Sequence, residues 1–222
     1  MREPSFTKAT DGNCGMYAIY MALNAYGFDI NAEKISEVAI ENKLSINGEL
    51  YRTGNFVKLM QILKDEYNIE CCLEVIEFRT MQELKNIITE ETKHSYVLLP
   101  YYAFQGLPIT SAMPNMKRGH WCIIYDINGD SVFGKQSNSK ADSLNVLKGV
   151  NITKMFNSNT MLDDIKVNMG KYNKCDINIP KKQLADTARC GLDKCKFNKD
   201  DTSNCIFNSD IAYKAFVLRK TN

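Results

Sequence analysis

The sequence predicts an α+β domain with a mostly helical first half and an antiparallel sheet in the second. Two patterns indicate this: apolar side chains recur at helical spacing up to about residue 89, and a β-hairpin pattern spans residues 120–136. The composition is globular, with 44% hydrophobic and 24% charged residues in a chain of 222. We therefore expect one domain over residues 1–222.

The most distinctive predicted helix is Cys14–Tyr26, which is apolar on nearly every face and closes at Gly27. Turn and capping residues at positions 10–13 precede it. Such a helix belongs inside a core. Three further helices are expected in the first half, over about Ala32–Lys43 with Asn31 as its cap, over about Asn55–Glu66, and from a Thr80/Glu83 capping box to about Thr89.

Strands are predicted at Ile69–Phe78, Tyr96–Tyr102 and Tyr213–Leu218. The hairpin joins residues 120–127 to residues 130–136 through Asn128-Gly129, a pair that suits a two-residue type I′ turn. A short helix is expected near Ile152–Phe156. Residues 171–209 are polar and cysteine-bearing, and we expect an irregular insertion or loop region there.

Charge and apolar runs exclude several classes of protein. Lys and Arg total 28 against 26 Asp and Glu, so a net charge of +2 gives no reason to propose a nucleic-acid binder. The longest apolar run, Met16–Leu23, is far below the roughly 18 residues of a membrane span, and the N-terminus has no signal-peptide pattern. We expect a cytoplasmic protein with reduced thiols; delivery into a host cytosol stays open.

Cys14 is the first candidate catalytic residue because it opens the buried helix. Unpaired N–H groups and the positive end of the helix dipole favour a thiolate there, and the same N–H groups can stabilise an oxyanion. Asn13 is a second candidate oxyanion donor, and Gly12 and Gly15 leave room for a substrate backbone. The alternative is that Cys14 is a small buried hydrophobe.

A thiolate nucleophile needs a general base, and the chain has only two histidines. His120 begins a predicted strand after a glycine-containing loop, where an imidazole can face a helix N-terminus. His94 lies in a polar stretch and is expected at the surface. A core or surface role is the alternative for His120 as well.

A catalytic imidazole also needs an acceptor for its second N–H. Gln136 follows His120 by sixteen residues, and the predicted hairpin places the two close to opposite one another. The Gln136 oxygen is therefore a candidate acceptor, with Asn138 as the alternative. A neutral amide orients an imidazole without fully compensating its positive charge.

The segment Asp-Gly-Asn-Cys-Gly-Met-Tyr-Ala-Ile-Tyr-Met-Ala, residues 11–22, resembles the nucleophile helix of papain-like peptidases of the bacteriocin-processing type. The His120 hairpin resembles the same group's His-aromatic strand. An Asp normally follows sixteen residues later in that group, whereas this chain has Gln136.

A branch of this group, the actin maturation protease family, resembles the chain in further blocks. These are Phe133-Gly-Lys-Gln-Ser-Asn-Ser139 and Ser158-Asn-Thr-Met-Leu162, which with Cys14-Gly and His120-Trp keep the family's order across residues 11–162. The resemblance implies a papain-like fold and a cytosolic cysteine peptidase that trims acetylated N-terminal residues from actin, without a cofactor or metal.

The same resemblance assigns Cys14 as nucleophile, His120 as base and the Gln136 region as orienting element. Papain-like enzymes usually place an oxyanion Gln shortly before the cysteine; this chain has none between Met1 and Cys14, so Asn13 or the backbone must substitute. Three cations near the site in sequence suit an acidic substrate such as an actin N-terminus, although ordinary surface cations are the favoured alternative: Lys8, Lys117 and Arg118.

Other readings stay open. Asp-Gly-Asn-Cys, residues 11–14, also opens ovarian-tumour-type deubiquitinases, although that family continues Cys-Leu-Phe-Arg-Ala, and ubiquitin is then the partner. A pathogen effector protease acting on another host protein is a related possibility. Four C-terminal cysteines suggest a zinc module only weakly, because their separations of fifteen, five and ten residues contain at best one stretched pair: Cys175, Cys190, Cys195 and Cys205. A catalytically inactive binding module is the last alternative.

Overall fold

A computed structural model of the chain describes residues 1–7, 14–45, 50, 52–102, 119–137, 147–170 and 210–221. Within these ranges the helices are α1 (Cys14–Tyr26), α2 (Ala32–Glu41), α3 (Thr53–Tyr67), α4 (Met81–Glu91) and α5 (Ile152–Gly170). The strands are β1 (Cys71–Glu77), β2 (Tyr96–Tyr102), β3 (Gly119–Asn128), β4 (Ser131–Gln136), β5 (Lys148–Asn151) and β6 (Lys214–Lys220).

The strands form one sheet in the order β1-β6-β2-β3-β4-β5. Every neighbouring pair is antiparallel, and the last strand of the chain lies between β1 and β2. The prediction of an α+β fold with an antiparallel sheet is confirmed.

Alternating side chains of the central strands enter two separate cores. Trp121 and Ile123 on β3 face α1, α2 and α3, whereas Cys122 and Ile124 on the same strand face α4 and the start of α5. Because both faces of the sheet are covered, the central strands are apolar on both sides, and residues 96–99 of β2 are all buried. The layer formed by α4 and α5 had not been assigned from the sequence.

Local signals placed most of the helices correctly. Helix α1 has the predicted bounds and closes at Gly27, whose φ of 90° is one that glycine adopts readily. The Asn31 side chain accepts a hydrogen bond from the Lys34 N–H at 2.7 Å, and the Thr80/Glu83 capping box is present at the start of α4.

The β3–β4 hairpin differs from its prediction by one residue. Asn128 pairs with Ser131, so the two-residue turn is Gly129-Asp130, and only Gly129 has a positive φ, at 60°. This pattern is that of a type II′ turn, and the predicted Asn-Gly type I′ turn is wrong. A bulge at Tyr125 shifts the register again, and Gln136 lies opposite Cys122 rather than His120.

The structure contains one helix that is longer than predicted and one strand that was not predicted. Helix α5 continues from Ile152 to Gly170, well beyond the predicted end at Phe156, and the edge strand β5 was not predicted. The expected insertion at residues 171–209 lies outside the described residues. Among the residues described, no helix is long and apolar enough to cross a membrane.

Candidate active site

Cys14 is the first residue of α1 and is partly exposed, whereas the eight residues after it are buried with the exception of Tyr20. The apolar face of α1 therefore anchors the helix in the core and leaves its N-terminal residue at the protein surface. The N–H groups of the first turn have no partner within the helix, so they are directed toward the space next to the thiol.

Gly15 is the point at which the start of α1 contacts the sheet. A β-carbon at this position would lie 3.3 Å from Cδ1 of Trp121 and 3.3 Å from Cζ of Phe56. These two rings pack together, with centroids 4.3 Å apart. The absence of a side chain lets the helix approach the residue next to His120, which is a packing reason for Gly15; its predicted role in admitting substrate stays a prediction.

His120 lies near the start of β3 and is partly buried, with its Nδ1 atom inside the protein. Its register partner on β2 is Tyr101, and the two rings are stacked at an interplanar angle of 28° with centroids 6.1 Å apart. His94, by contrast, is exposed, as predicted.

Gln136 ends β4 and is 3% exposed. The sequence predicted that its side-chain oxygen accepts a bond from His120. The Tyr101 hydroxyl donates a hydrogen bond to this Oε1 atom, at 3.1 Å, and the predicted bond from His120 stays a prediction. Tyr101 therefore links the strand of Gln136 to the ring of His120.

Tyr101 is the residue of the site that sequence reasoning missed. It is 1% exposed, and burial raises the pKa of its hydroxyl well above the ordinary value, with smaller contributions from the Cys122 and Cys14 thiols. The hydroxyl therefore stays protonated and available as a donor. The Cys14 thiol therefore acts electrostatically on the Tyr101 hydroxyl, which donates to Gln136 and whose ring stacks on His120.

Two buried residues fix the strand ends that carry these side chains. Asn159 on α5 donates to the carbonyl of Pro100, next to Tyr101, and accepts from the N–H of Tyr213, both at 2.7 Å. Gly134 lies so close to β3 that an added β-carbon would be 2.7 Å from the Ile123 carbonyl oxygen. These contacts give physical reasons for the Ser158-Asn159 and Phe133-Gly134 blocks singled out in the sequence.

The segment that leads toward Cys14 is held on the sheet face covered by α1. The Tyr96 hydroxyl donates to the carbonyl of Arg2 at 2.7 Å, and Lys135, next to Gln136, pairs with Glu3 at 2.5 Å. The hydrogen bond and charge of Lys135 lower the pKa of the Glu3 carboxyl. Residues 2 and 3 are thus held against β2 and β4.

Several predicted site residues lie outside the described residues: Lys8, Gly12, Asn13, Lys117, Arg118 and Asn138. The four C-terminal cysteines considered for zinc lie outside them as well. Within the part of the chain that the structure describes, no group of three or more His, Cys, Asp or Glu side chains is arranged to hold a metal ion.

One solved structure that resembles the fold is described as a C39-like peptidase from Bacillus anthracis; it is 12% identical, with a TM-score of 0.46, over 68% of this chain and 86% of that chain. No curated protein sequence matches the chain. The family described as actin maturation protease-like, C-terminal domain, matches residues 5–128, which include Cys14 and His120. Since this match spans more than half of the sequence, the chain belongs to the actin maturation protease-like family.

Proposed function

We propose that the chain is a cysteine peptidase in which Cys14 is the nucleophile and His120 the general base. The observation that carries this proposal is the close packing of Gly15 against Trp121. It holds the residue after Cys14 against the residue after His120, which supports a site shared by a thiol at a helix N-terminus and an imidazole at a strand end.

The proposed reaction divides peptide hydrolysis into two steps. The Cys14 thiolate attacks the carbonyl carbon of the scissile bond, and N–H groups of the first turn of α1 stabilise the resulting oxyanion. Protonated His120 gives its proton to the leaving amine as the C–N bond breaks, which leaves a thioester on Cys14. His120 then takes a proton from water, the water oxygen attacks the thioester, and the carboxylic acid product leaves as the thiol is restored.

Gln136 is the proposed orienting residue, with Asn138 as the alternative. Burial at the end of β4 and the bond from Tyr101 restrict the Gln136 amide to one arrangement. An amide carries no charge, so it orients the imidazolium but stabilises it less than a carboxylate does. Asn13 is the proposed additional oxyanion donor.

The proposed substrate is an acidic protein N-terminus, and actin is the candidate that the family name supplies. Lys8 shortly precedes Cys14, and Lys117 and Arg118 directly precede Gly119 and His120, so positive side chains lie near both proposed catalytic residues in the sequence. The activity would then be the removal of an N-terminal residue. A cytoplasmic setting, which keeps thiols reduced, suits both this substrate and a cysteine nucleophile.

The test is intact-mass measurement of actin that bears an acetylated N-terminus, incubated with the wild-type protein and with Cys14→Ala. We expect loss of an N-terminal residue mass with the wild-type protein only. A ubiquitin chain is the parallel substrate, because cleavage of that chain with untouched actin would favour the deubiquitinase alternative. Cleavage of actin by both forms would contradict the assignment of Cys14.

A further inference from the structure

The side chain of Tyr101 reaches across a whole strand. Tyr101 is on β2 and Gln136 is on β4, with β3 between them. Adjacent strands are about 4.8 Å apart, so the hydroxyl must extend over β3 to meet the amide two strands away. In register Tyr101 is opposite His120 and Gln136 is opposite Cys122, and the phenol therefore passes over β3 between these two residues.

The partners of this contact are closed off from solvent. Tyr101 is 1% exposed and Gln136 is 3% exposed. Because a buried amide that loses a hydrogen bond cannot replace it with bulk water, the orientation seen here is strongly preferred. The Tyr101 hydroxyl donates to the oxygen of the Gln136 amide, so the oxygen of that amide, and not its NH2 group, faces Tyr101.

We propose that Tyr101 is a positioning residue for the catalytic pair, acting through the Gln136 amide by its hydroxyl and on the His120 imidazole by its ring. The inference rests on the proposed function, since it concerns how the base of that reaction is held. Nothing in the sequence pattern marks Tyr101, because the contact depends on the pairing of three strands.

Removal of the hydroxyl takes away a hydrogen bond that favours the present orientation of the amide over the rotated one. In the rotated form the NH2 group of Gln136 takes the place of the oxygen, and a donor there opposes an imidazolium that is itself a donor at both nitrogens. The Cys14 thiolate, which the imidazolium stabilises, then forms less readily at low pH. Among the described residues, the titratable groups that act on the phenol include the Cys14 thiol of α1 and the Cys122 thiol of β3, which raise its pKa, and His120 of β3, whose ring stacks on it. The Cys122 thiol is neutral, because burial raises its pKa and its S–H donates to the Leu99 carbonyl at 3.4 Å.

The experiment measures the rate at which iodoacetamide alkylates Cys14 between pH 5 and 9, resolved by peptide mass spectrometry, so no substrate is required. The proteins are wild type, Tyr101→Phe, Gln136→Ala and the double variant. We expect each single variant to lower the low-pH rate by about five- to tenfold, which corresponds to the loss of one hydrogen bond. The double variant should lose no more than either single variant, because both remove the same contact.

Tyr96→Phe is the matched control. It removes a tyrosine hydroxyl from the same strand but from the opposite face, where that hydroxyl donates to the Arg2 carbonyl. We expect a comparable loss of thermal stability from Tyr96→Phe without a change in the Cys14 profile. If the pH dependence of Cys14 alkylation shifts equally in Tyr96→Phe, the shift in Tyr101→Phe results from lost stability, and the proposal is overturned.

Two other results also overturn the inference. The first is a pH dependence of Cys14 alkylation that is unchanged in folded Tyr101→Phe; if Tyr101→Phe does not fold, an unchanged pH dependence in folded Gln136→Ala counts in the same way. The second is a loss of alkylation rate in the double variant that equals the sum of the two single losses. A wild-type profile in which Cys14 reacts only in the range of an ordinary thiol is a different failure. In that case no thiolate–imidazolium pair exists, and the proposed function falls together with the inference.

Discussion

Trp121 lies directly against Gly15, with its Cδ1 atom 3.3 Å from the place that a β-carbon on Gly15 would occupy. The ring also packs on Phe56 and on Phe216, with centroids 4.3 and 5.0 Å away, so it has little freedom to move aside. This contact sets the distance between the start of α1 and the start of β3.

Gly15→Val should separate the helix start from the sheet. Two added methyl groups beyond the β-carbon must displace Trp121 or Phe56, and overpacking of this kind costs about 1–3 kcal/mol of unfolding free energy. Urea denaturation measures that cost, and we expect the alkylation rate of Cys14 to fall at the same time. The control is Gly54→Ala on α3, where an added β-carbon meets nothing within 4 Å. Full stability and reactivity in Gly15→Val would show that the contact does not set the site.

Gly134→Ala should loosen β4 from β3 just before Gln136. The added β-carbon would lie 2.7 Å from the carbonyl oxygen of Ile123, and a backbone atom can yield only if the strands separate. We expect a loss of about 1–3 kcal/mol in urea denaturation, and weaker Cys14 reactivity as Gln136 shifts. Gly54→Ala again serves for comparison and should be neutral or slightly stabilising. A Gly134→Ala protein as stable as wild type would contradict the close approach.

Asn159→Ala should be among the most destabilising polar substitutions in the described chain. It leaves the buried Pro100 carbonyl and the partly buried Tyr213 N–H without their side-chain partner, at a cost of about 2–5 kcal/mol. Thermal or urea denaturation measures the loss. Asn157→Ala removes the same side chain from an exposed position two residues earlier on α5 and should change stability by less than about 0.5 kcal/mol. Equal effects of the two substitutions would be inconsistent with the bridging role.

The adjacent cysteines of β1 should differ sharply in reactivity. Cys71 is 2% exposed, and burial raises the pKa of its thiol to about 12, whereas Cys72 points to solvent. An ordinary thiol is about half ionised at pH 8.5, so a raised pKa leaves Cys71 almost entirely protonated there. We expect iodoacetamide at pH 8.5 to alkylate Cys72 more than about a hundredfold faster than Cys71 in the native protein. Similar rates at the two positions would place Cys71 outside the core.

Residues whose neighbours are local could be assigned from the sequence. The bounds of α1, the Asn31 cap and the Thr80/Glu83 capping box depend on side chains within a few positions along the chain. Strand β2 was also found correctly, because a run that is buried on both faces is continuously apolar.

Contacts between distant strands could not be assigned in the same way. The hairpin turn was misplaced because Asn-Gly and Gly-Asp are both acceptable turn pairs, and the bulge at Tyr125 then altered the register that the turn alone would set. The roles of Tyr101 and Asn159 depend on which strands become neighbours. The family resemblance singled out Asn159 in the sequence but gave no physical reason for it. It did not single out Tyr101.

We expect the Cys14 side chain to be a thiolate that the protonated imidazole of His120 stabilises. An unperturbed thiol is only about 0.3% ionised at pH 6, so a thiolate paired with an imidazolium should react about tenfold faster or more, even after allowance for its lower intrinsic nucleophilicity. The most direct measurement is the rate of Cys14 alkylation at pH 6 relative to exposed Cys72 in the same protein, in wild type and in His120→Asn. We expect Cys14 to react faster than Cys72 by about that factor in wild type and to lose the advantage in His120→Asn. Equal rates for the two cysteines in wild type, or an advantage that survives the loss of His120, would contradict the account.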